Sequence, residues 1–393
     1  MNNISSEIFL ELGSSKIILS FNDKINNKIK SKEKNILNDQ KQDSLFLNLK
    51  KNKIENIIYE LEKENNIYIK NINLLVDDKN LITIGLSVSK QINHNLFEKK
   101  DLEYLIQDAK QILLKFNNQY EILHILITSF KADDNDCENF YNIEKCNKIS
   151  LDLLFICIPL KKIEFFKKLF SNNHININKI LSSSYSKSFY LINNSDINYE
   201  NKIFIDIGFE KTAVLFYKKK ILKYFNIIPI GSNHVNKDLI KILNIDYTSS
   251  EYIKKNFYKK NFLQDKKYIS IINDFKINKK NEEIIYKIIK YRIDEILELS
   301  LKKISEQLTK FDSKAKIKLI LLGKGSKVFN FNSISLEKYV PVTDEIDIYK
   351  DEDFNIYDCG YFINSGSNPN EVILVPKKTY KKGFFEKLFH FLR

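Results

Sequence analysis

The chain is short of the residues that bend and mark polypeptides: nine glycines, five prolines, one methionine and no tryptophan in 393 residues. Lys, Ile and Asn crowd nearly every segment instead, strands and loops alike, as a genome-wide bias would produce. The four cysteines, Cys137, Cys146, Cys157 and Cys359, are scattered with no Cys-x-x-Cys pair, and the five histidines have no ligand-type spacing. That excludes a zinc centre and a disulfide framework and fits a reducing cytosol. The opening "MNNISSEIFLELG" has no basic region followed by a long apolar stretch, so no signal peptide is expected. The longest apolar run, "LDLLFICIPL" (151–160), is half a membrane span and reads as a buried strand.

Positive charge is in excess, with a formal net charge of +13 and a pI near 9.1. The lysines are interleaved with Asp and Glu and form no single stripe. This describes a solvated basic surface and no nucleic-acid partner. At 43% hydrophobic, the chain can bury a sizeable core in two or more lobes.

"KIFIDIGFEKTAVLFYKKKILKYFNIIPIGSNHVNKDLI" (202–240) reads as three strands joined by tight turns. Gly231 then breaks the run, and a helix follows with Leu239, Ile240 and Leu243 on one face. The N-terminus repeats the first half of this pattern: strand "EIFLELG", turn "SSK", strand "IILSF" and, later, a helix in "NKIENIIYELEKEN" (52–65). Two hairpins of the form strand–acid-x-Gly–strand, each heading half of the chain, predict a duplicated architecture.

In such a hairpin glycine lets backbone N–H groups approach an anion, and neighbouring hydroxyls (Ser14, Ser15, Thr212) add hydrogen bonds. A carboxylate at the strand end, Glu11 or Asp206, can hold Mg²⁺ through water. Each acid-x-Gly alone is equally an ordinary turn. A third glycine site follows an apolar strand in "KIKLILLGKGSKVFNF" (316–331), where Gly323-Lys324-Gly325-Ser326 opens a short helix. A nucleotide can lie against backbone there, although a plain strand–helix junction has the same pattern.

These elements, in this order, resemble the actin-like ATPase superfamily and, within it, the FtsA family of bacterial cell-division proteins. The likeness rests on phosphate loop one (Glu11-Leu12-Gly13-Ser14-Ser15-Lys16), phosphate loop two (Asp206-Ile207-Gly208 to Thr212) and the adenosine loop (Gly323, Lys324, Gly325, Ser326). "SSSYSKSFYL" (182–191) resembles the helix linking the family's lobes, "IIPIGSNHVNKDL" its strand–Gly-x-Asn–helix segment, and "YDCGYFI" (357–363) its second connecting helix. The resemblance implies an α/β fold of two actin-like (ribonuclease-H-like) lobes, with ATP and Mg²⁺ in the cleft and Asp206 and Glu11 near the metal. Departures from the family accompany this. Phe209-Glu210-Lys211 stands where Gly-Gly-Thr is usual, and Ala213 replaces a later Asp. Both imply weakened nucleotide binding and at most a weak ATPase.

A strand–helix–strand block, with helix 98–116 and strand 120–130, resembles the extra subdomain by which FtsA self-associates and meets later division proteins. The expected division is first lobe 1–80 and 151–200 around an inserted subdomain 81–150, then a second-lobe core 201–265 and 311–365 around an outer subdomain 266–310. A linker 366–382 and an amphipathic helix 383–393 follow. In the outer subdomain "EEIIYKIIKYRIDEILELSLKKI" (282–304) is amphipathic, and Arg292-x-x-Glu295 with Lys290 resembles the family's receptor for the acidic FtsZ tail. An exposed helix with ordinary charge pairs has the same spacing.

In the tail, Phe384, Phe385, Leu388, Phe389 and Leu392 form one helical face beside Lys377, Lys378, Lys381, Lys382 and Arg393. A helix docked on the core and one lying in an anionic membrane interface both fit this face; the linker and the basic flank favour the second. Burying a Phe or Leu is worth roughly 1.5–3 kcal/mol and a basic residue near anionic lipid about 1 kcal/mol. Ordering a helix this short offsets much of that. One tail binds weakly, and a polymer of many tails binds firmly. The family resemblance therefore implies a scaffold that polymerises on the cytoplasmic face of the inner membrane at the division site and tethers FtsZ. The alternatives are a pilus-assembly relative of FtsA and a sugar-kinase-like phosphotransferase on the same fold.

Overall fold

The computed structural model describes residues 7–23, 26, 28–36, 43–92, 97–137, 145–171, 174–194, 199–259, 262–275, 280–308, 317–328, 342–348 and 355–372. The terminal face Phe384, Phe385, Leu388, Phe389 and Leu392 lies outside them.

In the first half, β1 (Ile8–Leu12), β2 (Lys16–Asp23) and β3 (Lys28–Asn35) form an antiparallel meander, and α1 (Asp43–Asn65) leads into β4 (Asn71–Val76). β4 lies parallel to β1 on the meander's free side. An excursion from the sheet then intervenes. It comprises β5 (Ile82–Gln91), α2 (Lys99–Phe116), β6 (Tyr120–Ala132), β7 (Asn135–Asp136), β8 (Lys148–Pro159) and α3 (Leu160–Phe170). The chain returns through β9 (Asn176–Ser182), parallel to β4, and α4 (Ser183–Asn194).

The second half repeats this plan. β10 (Asn201–Ile207), β11 (Thr212–Lys218) and β12 (Ile221–Ile228) form the meander. Then come α5 (Asn233–Leu243), α6 (Tyr247–Asn256), α7 (Lys266–Asp274), α8 (Lys280–Leu308), β13 (Ile317–Leu322), β14 (Val342–Ile348) and α9 (Ile356–Asn364). The sheets run β3-β2-β1-β4-β9 and β12-β11-β10-β13-β14, with the same senses at each step. This is one fold used twice, as the paired hairpins predict.

Central strands covered on both faces read as unbroken apolar runs. In β10 the two-residue period still sorts the sides: Ile203, Ile205 and Ile207 pack with Ile285, Ile289 and Ile293 of α8. Phe204 joins the core shared with Tyr185 and Phe189 of α4. Asp206 therefore lies on the α4 side. β1 is built alike: Phe9 meets Tyr357 of α9 edge to face at 5.5 Å, and Glu11 shares its side of the strand. α4 and α9 pack together through Phe189 and Phe362, ring centroids 5.7 Å apart.

The excursion forms its own sheet, β5-β8-β6-β7, with α2 burying Leu105, Ala109 and Leu113 against Ile125 and Phe155. A strand, a helix and a strand occur where the sequence suggests them, but the boundary expected at 150 falls inside β8. The run 151–160, assigned above to the first lobe, is the middle of this third sheet, paired with β5 and β6. A continuous apolar run reads the same whichever sheet buries it.

Candidate functional site

Glu11 and Asp206 end two equivalent strands, and the turns that follow close with the same hydrogen bond. Gly13 N donates to Lys16 O at 3.0 Å and Gly208 N donates to Lys211 O at 2.9 Å. The repeat is thus Phe-x-acid-x-Gly-x-x-Lys in both: Phe9, Glu11, Gly13, Lys16 and Phe204, Asp206, Gly208, Lys211. At either glycine an added Cβ would sit 2.9 Å from that lysine's carbonyl oxygen.

The two hairpins and the turn after β13 line one cleft of about 620 Å³, an ordinary size for a ligand site. Glu11, Gly13, Ser14, Ser15, Lys16, Asp206, Gly208, Gly323, Lys324 and Gly325 all contribute to its wall. Gly323 has φ +81°, and a Cβ there would meet Asp206 Oδ1 and Ile207 O at 2.5 Å, so only glycine fits. The expected helix after it is a short 3₁₀ turn, Lys324–Val328.

Thr212 and Ser326 differ from expectation. Neither lines the cleft: Thr212 Oγ1 donates to Ile230 O and Ser326 Oγ to Gly323 O, each at 2.7 Å, and both residues are buried. Their hydroxyls are taken up by these backbone carbonyls. Arg292 and Glu295 lie far from this cleft and bind each other; Arg292 Nε and Nη2 also grip Asp238, at 2.7 and 2.9 Å. Lys290 is not in that cluster; its ammonium stands over the Tyr286 ring. The two charges expected to face a partner are therefore already paired within the chain, because α5 brings Asp238 against α8.

Not anticipated from the sequence are the groups that α4, β4 and α6 bring to the cleft. Ser183 Oγ and Lys187 Nζ donate to Glu11 Oε1 at 2.5 and 2.6 Å. Burial works to raise the Glu11 carboxyl. The ammoniums of Lys187 and Lys16 and the two hydrogen bonds outweigh it, and the net pKa is lowered. The single proton of the Ser184 hydroxyl is shared between Asp77 Oδ2 at 2.5 Å and Asp206 Oδ2 at 2.8 Å. Asp77, just beyond β4, accepts from Ser182 Oγ, Ser184 N and Ser184 Oγ at 2.8, 2.9 and 2.5 Å. At the far end the buried Lys254 pairs with Glu251 at 2.6 Å, and Asn236 donates to the same carboxylate. An acid one residue past an apolar strand was the available signal for Asp77; helix α4 shows none for Lys187, since its partner is 176 residues away.

These carboxylates fit a metal poorly. Mg²⁺ requires oxygens free to reach an octahedral shell, whereas Glu11 Oε1 already accepts two hydrogen bonds and Asp206 Oδ2 shares the Ser184 hydroxyl with Asp77. Glu11 Oε2 has no partner but is fully buried. Among the described residues no group of three or more His, Cys, Asp or Glu is placed to hold a metal ion.

Residues 203–318 match the family model for cell division protein FtsA. Cell division proteins FtsA of two Helicobacter pylori strains (ATCC 700392 / 26695 and J99 / ATCC 700824) are each 22% identical over 138 residues, which is 35% of this chain. The match spans 28% of those relatives' length. Among solved structures, a chain of a PilM-PilN type IV pilus biogenesis complex superposes with a TM-score of 0.57 at 12% identity, covering 91% of this chain and 94% of that one. At that identity the likeness is one of fold. Over residues 203–318 the chain is FtsA-like in sequence, and it carries the actin-like ATPase fold through both lobes.

Proposed function

We propose that this chain is an FtsA-like cell-division scaffold that binds ATP between its lobes, polymerises on the cytoplasmic face of the inner membrane and tethers FtsZ filaments there. The observation that carries it is the convergence of both acid-x-Gly hairpins and the Gly323 turn on one cleft. Proteins of this fold generally bind nucleotide, and backbone N–H groups released by glycine suit phosphate oxygens. The third sheet supports contacts with itself and with later division proteins, as its counterpart does in the family. Among the described residues no helix is long and apolar enough to cross a membrane, so attachment is assigned to the 383–393 face.

The FtsZ tail is assigned to the groove of about 310 Å³ lined by Ile242, Ile284, Ile288 and Tyr291 beside Arg292. An incoming carboxylate there exchanges with Asp238 or Glu295. A phosphotransferase reading needs a carboxylate free to take a substrate proton, and the three hydrogen bonds that Asp77 accepts disfavour it. A pilus-assembly scaffold would use the same fold and cleft without a membrane helix.

The test is co-sedimentation of the full chain and FtsZ with anionic liposomes. FtsZ should pellet with the vesicles only when the chain is present, and the Phe385→Glu, Phe389→Glu variant should leave both in solution while still binding ATP. A chain that pellets without carrying FtsZ rejects the tether. A folded double variant that still pellets rejects the tail as anchor. For the cleft, Gly208→Val should abolish ATP binding in calorimetry, and unchanged affinity would reject the site.

A further inference from the structure

The internal duplication places a lysine at the same step of each phosphate hairpin. Lys16 and Lys211 each supply the carbonyl that closes the turn, and both side chains line the cleft. Lys211 replaces a small residue of the family pattern; burial lowers the pKa of its ammonium, and the carboxylates of Asp77, Asp78, Asp206 and Glu11 only partly offset this. Among the described residues it makes no ion pair or hydrogen bond with any of them. The second cation, Lys187, is already locked to Glu11 at 2.6 Å. In all, seven lysines and five carboxylates line the cleft, a balance that favours a polyanion without further counter-charge.

We infer that Lys16 and Lys211 hold the phosphates of a nucleoside di- or triphosphate from the two sides, and that Lys211 takes over the charge-neutralising role of a divalent cation. This rests on the nucleotide reading of the cleft and adds that binding does not require Mg²⁺. Two ammoniums supply the same total charge as one divalent ion, and each donates charge-assisted hydrogen bonds to phosphate oxygens. A metal ion entering beside Lys211 meets like-charge repulsion, and Glu11 Oε1 is already engaged by Ser183 and Lys187.

The test is calorimetric titration of the full chain with ATP, once in millimolar Mg²⁺ and once in excess chelator. The expected affinities agree within about threefold, less than the tenfold step that 1.4 kcal/mol represents. A fall of about tenfold or more on removing Mg²⁺ overturns the inference and leaves the nucleotide site standing. No binding in either buffer overturns both. Lys211→Thr should lose about tenfold in chelator and recover part of it with Mg²⁺, because the smaller side chain vacates the cation's place. A folded Lys211→Thr protein that binds ATP as wild type does in chelator shows that Lys211 does not meet the phosphates, and the inference fails.

Discussion

Lys187 Nζ lies 2.6 Å from Glu11 Oε1, and each side chain is 8% exposed. The pair ties α4, the helix between the lobes, to the strand that opens the first phosphate hairpin. Ser183 donates to the same oxygen from one turn earlier in the helix. Removing one partner strands a buried charge. Lys187→Ala is therefore expected to cost about 3–5 kcal/mol in urea unfolding, and Glu11→Gln, which keeps a hydrogen-bond acceptor, less. A loss below about 1 kcal/mol for Lys187→Ala would place the pair among exposed ones of little worth.

The same carboxyl sets a pH dependence. Its folded pKa is below the ordinary 4.5, so the unfolded chain binds the proton more readily. The stabilisation it confers is complete above that ordinary value and is lost as pH falls through the folded one. The stability difference between wild type and Glu11→Gln should stay level from neutral pH to about pH 5 and shrink below it. A difference that is flat to pH 3 in unfolding titrations contradicts the shift.

Gly360 in α9 lets that helix lie directly on β1. A Cβ there would come 2.6 Å from Cε1 of Phe9, which is fully buried and cannot swing away. In an open helix Gly→Ala gains about 1 kcal/mol. Here the overlap reverses the sign, and Gly360→Ala should destabilise by roughly 1–3 kcal/mol. A raised melting temperature would refute this packing.

Glu371 lies inside 366–382, the stretch expected as a linker, and fastens its first residues to β6 and α4. Its Oε1 accepts from His124 Nδ1 at 2.7 Å and its Oε2 from Tyr185 OH at 2.9 Å. Ser182 N donates to His124 Nε2 at 3.0 Å, which fixes the tautomer. Asn368 Nδ2 completes the chain by donating to Tyr185 OH. Glu371→Ala leaves two buried donors unpaired, and a loss of about 2–3 kcal/mol is expected. Faster amide exchange at Val372, whose N–H donates to Ile125 O at 2.9 Å, should accompany it. Unchanged exchange there would mean that backbone pairing alone holds the segment.

Residue order alone determined the duplicated plan, since a strand–acid-x-Gly–strand hairpin is a local object and its repetition is visible in one dimension. Amphipathic spacing likewise marked α2, α5 and α8, because a helix face is set by residues three and four apart. What only the tertiary structure decided are choices between distant partners. β8 is as apolar as a first-lobe strand, and its pairing with β5 and β6 follows from register with segments that no local pattern names. Thr212 and Ser326 sit at the right places in their loops, yet their hydroxyls turn to backbone carbonyls, because a buried hydroxyl takes the nearest acceptor. Arg292 has the spacing of a partner site, but Asp238, 54 residues away, reaches it when α5 packs on α8. Lys187 reaches Glu11 by the same means, through the packing of α4 beneath the first hairpin. Spacing along the chain specifies which residues share a face; long-range packing specifies which charges those faces meet.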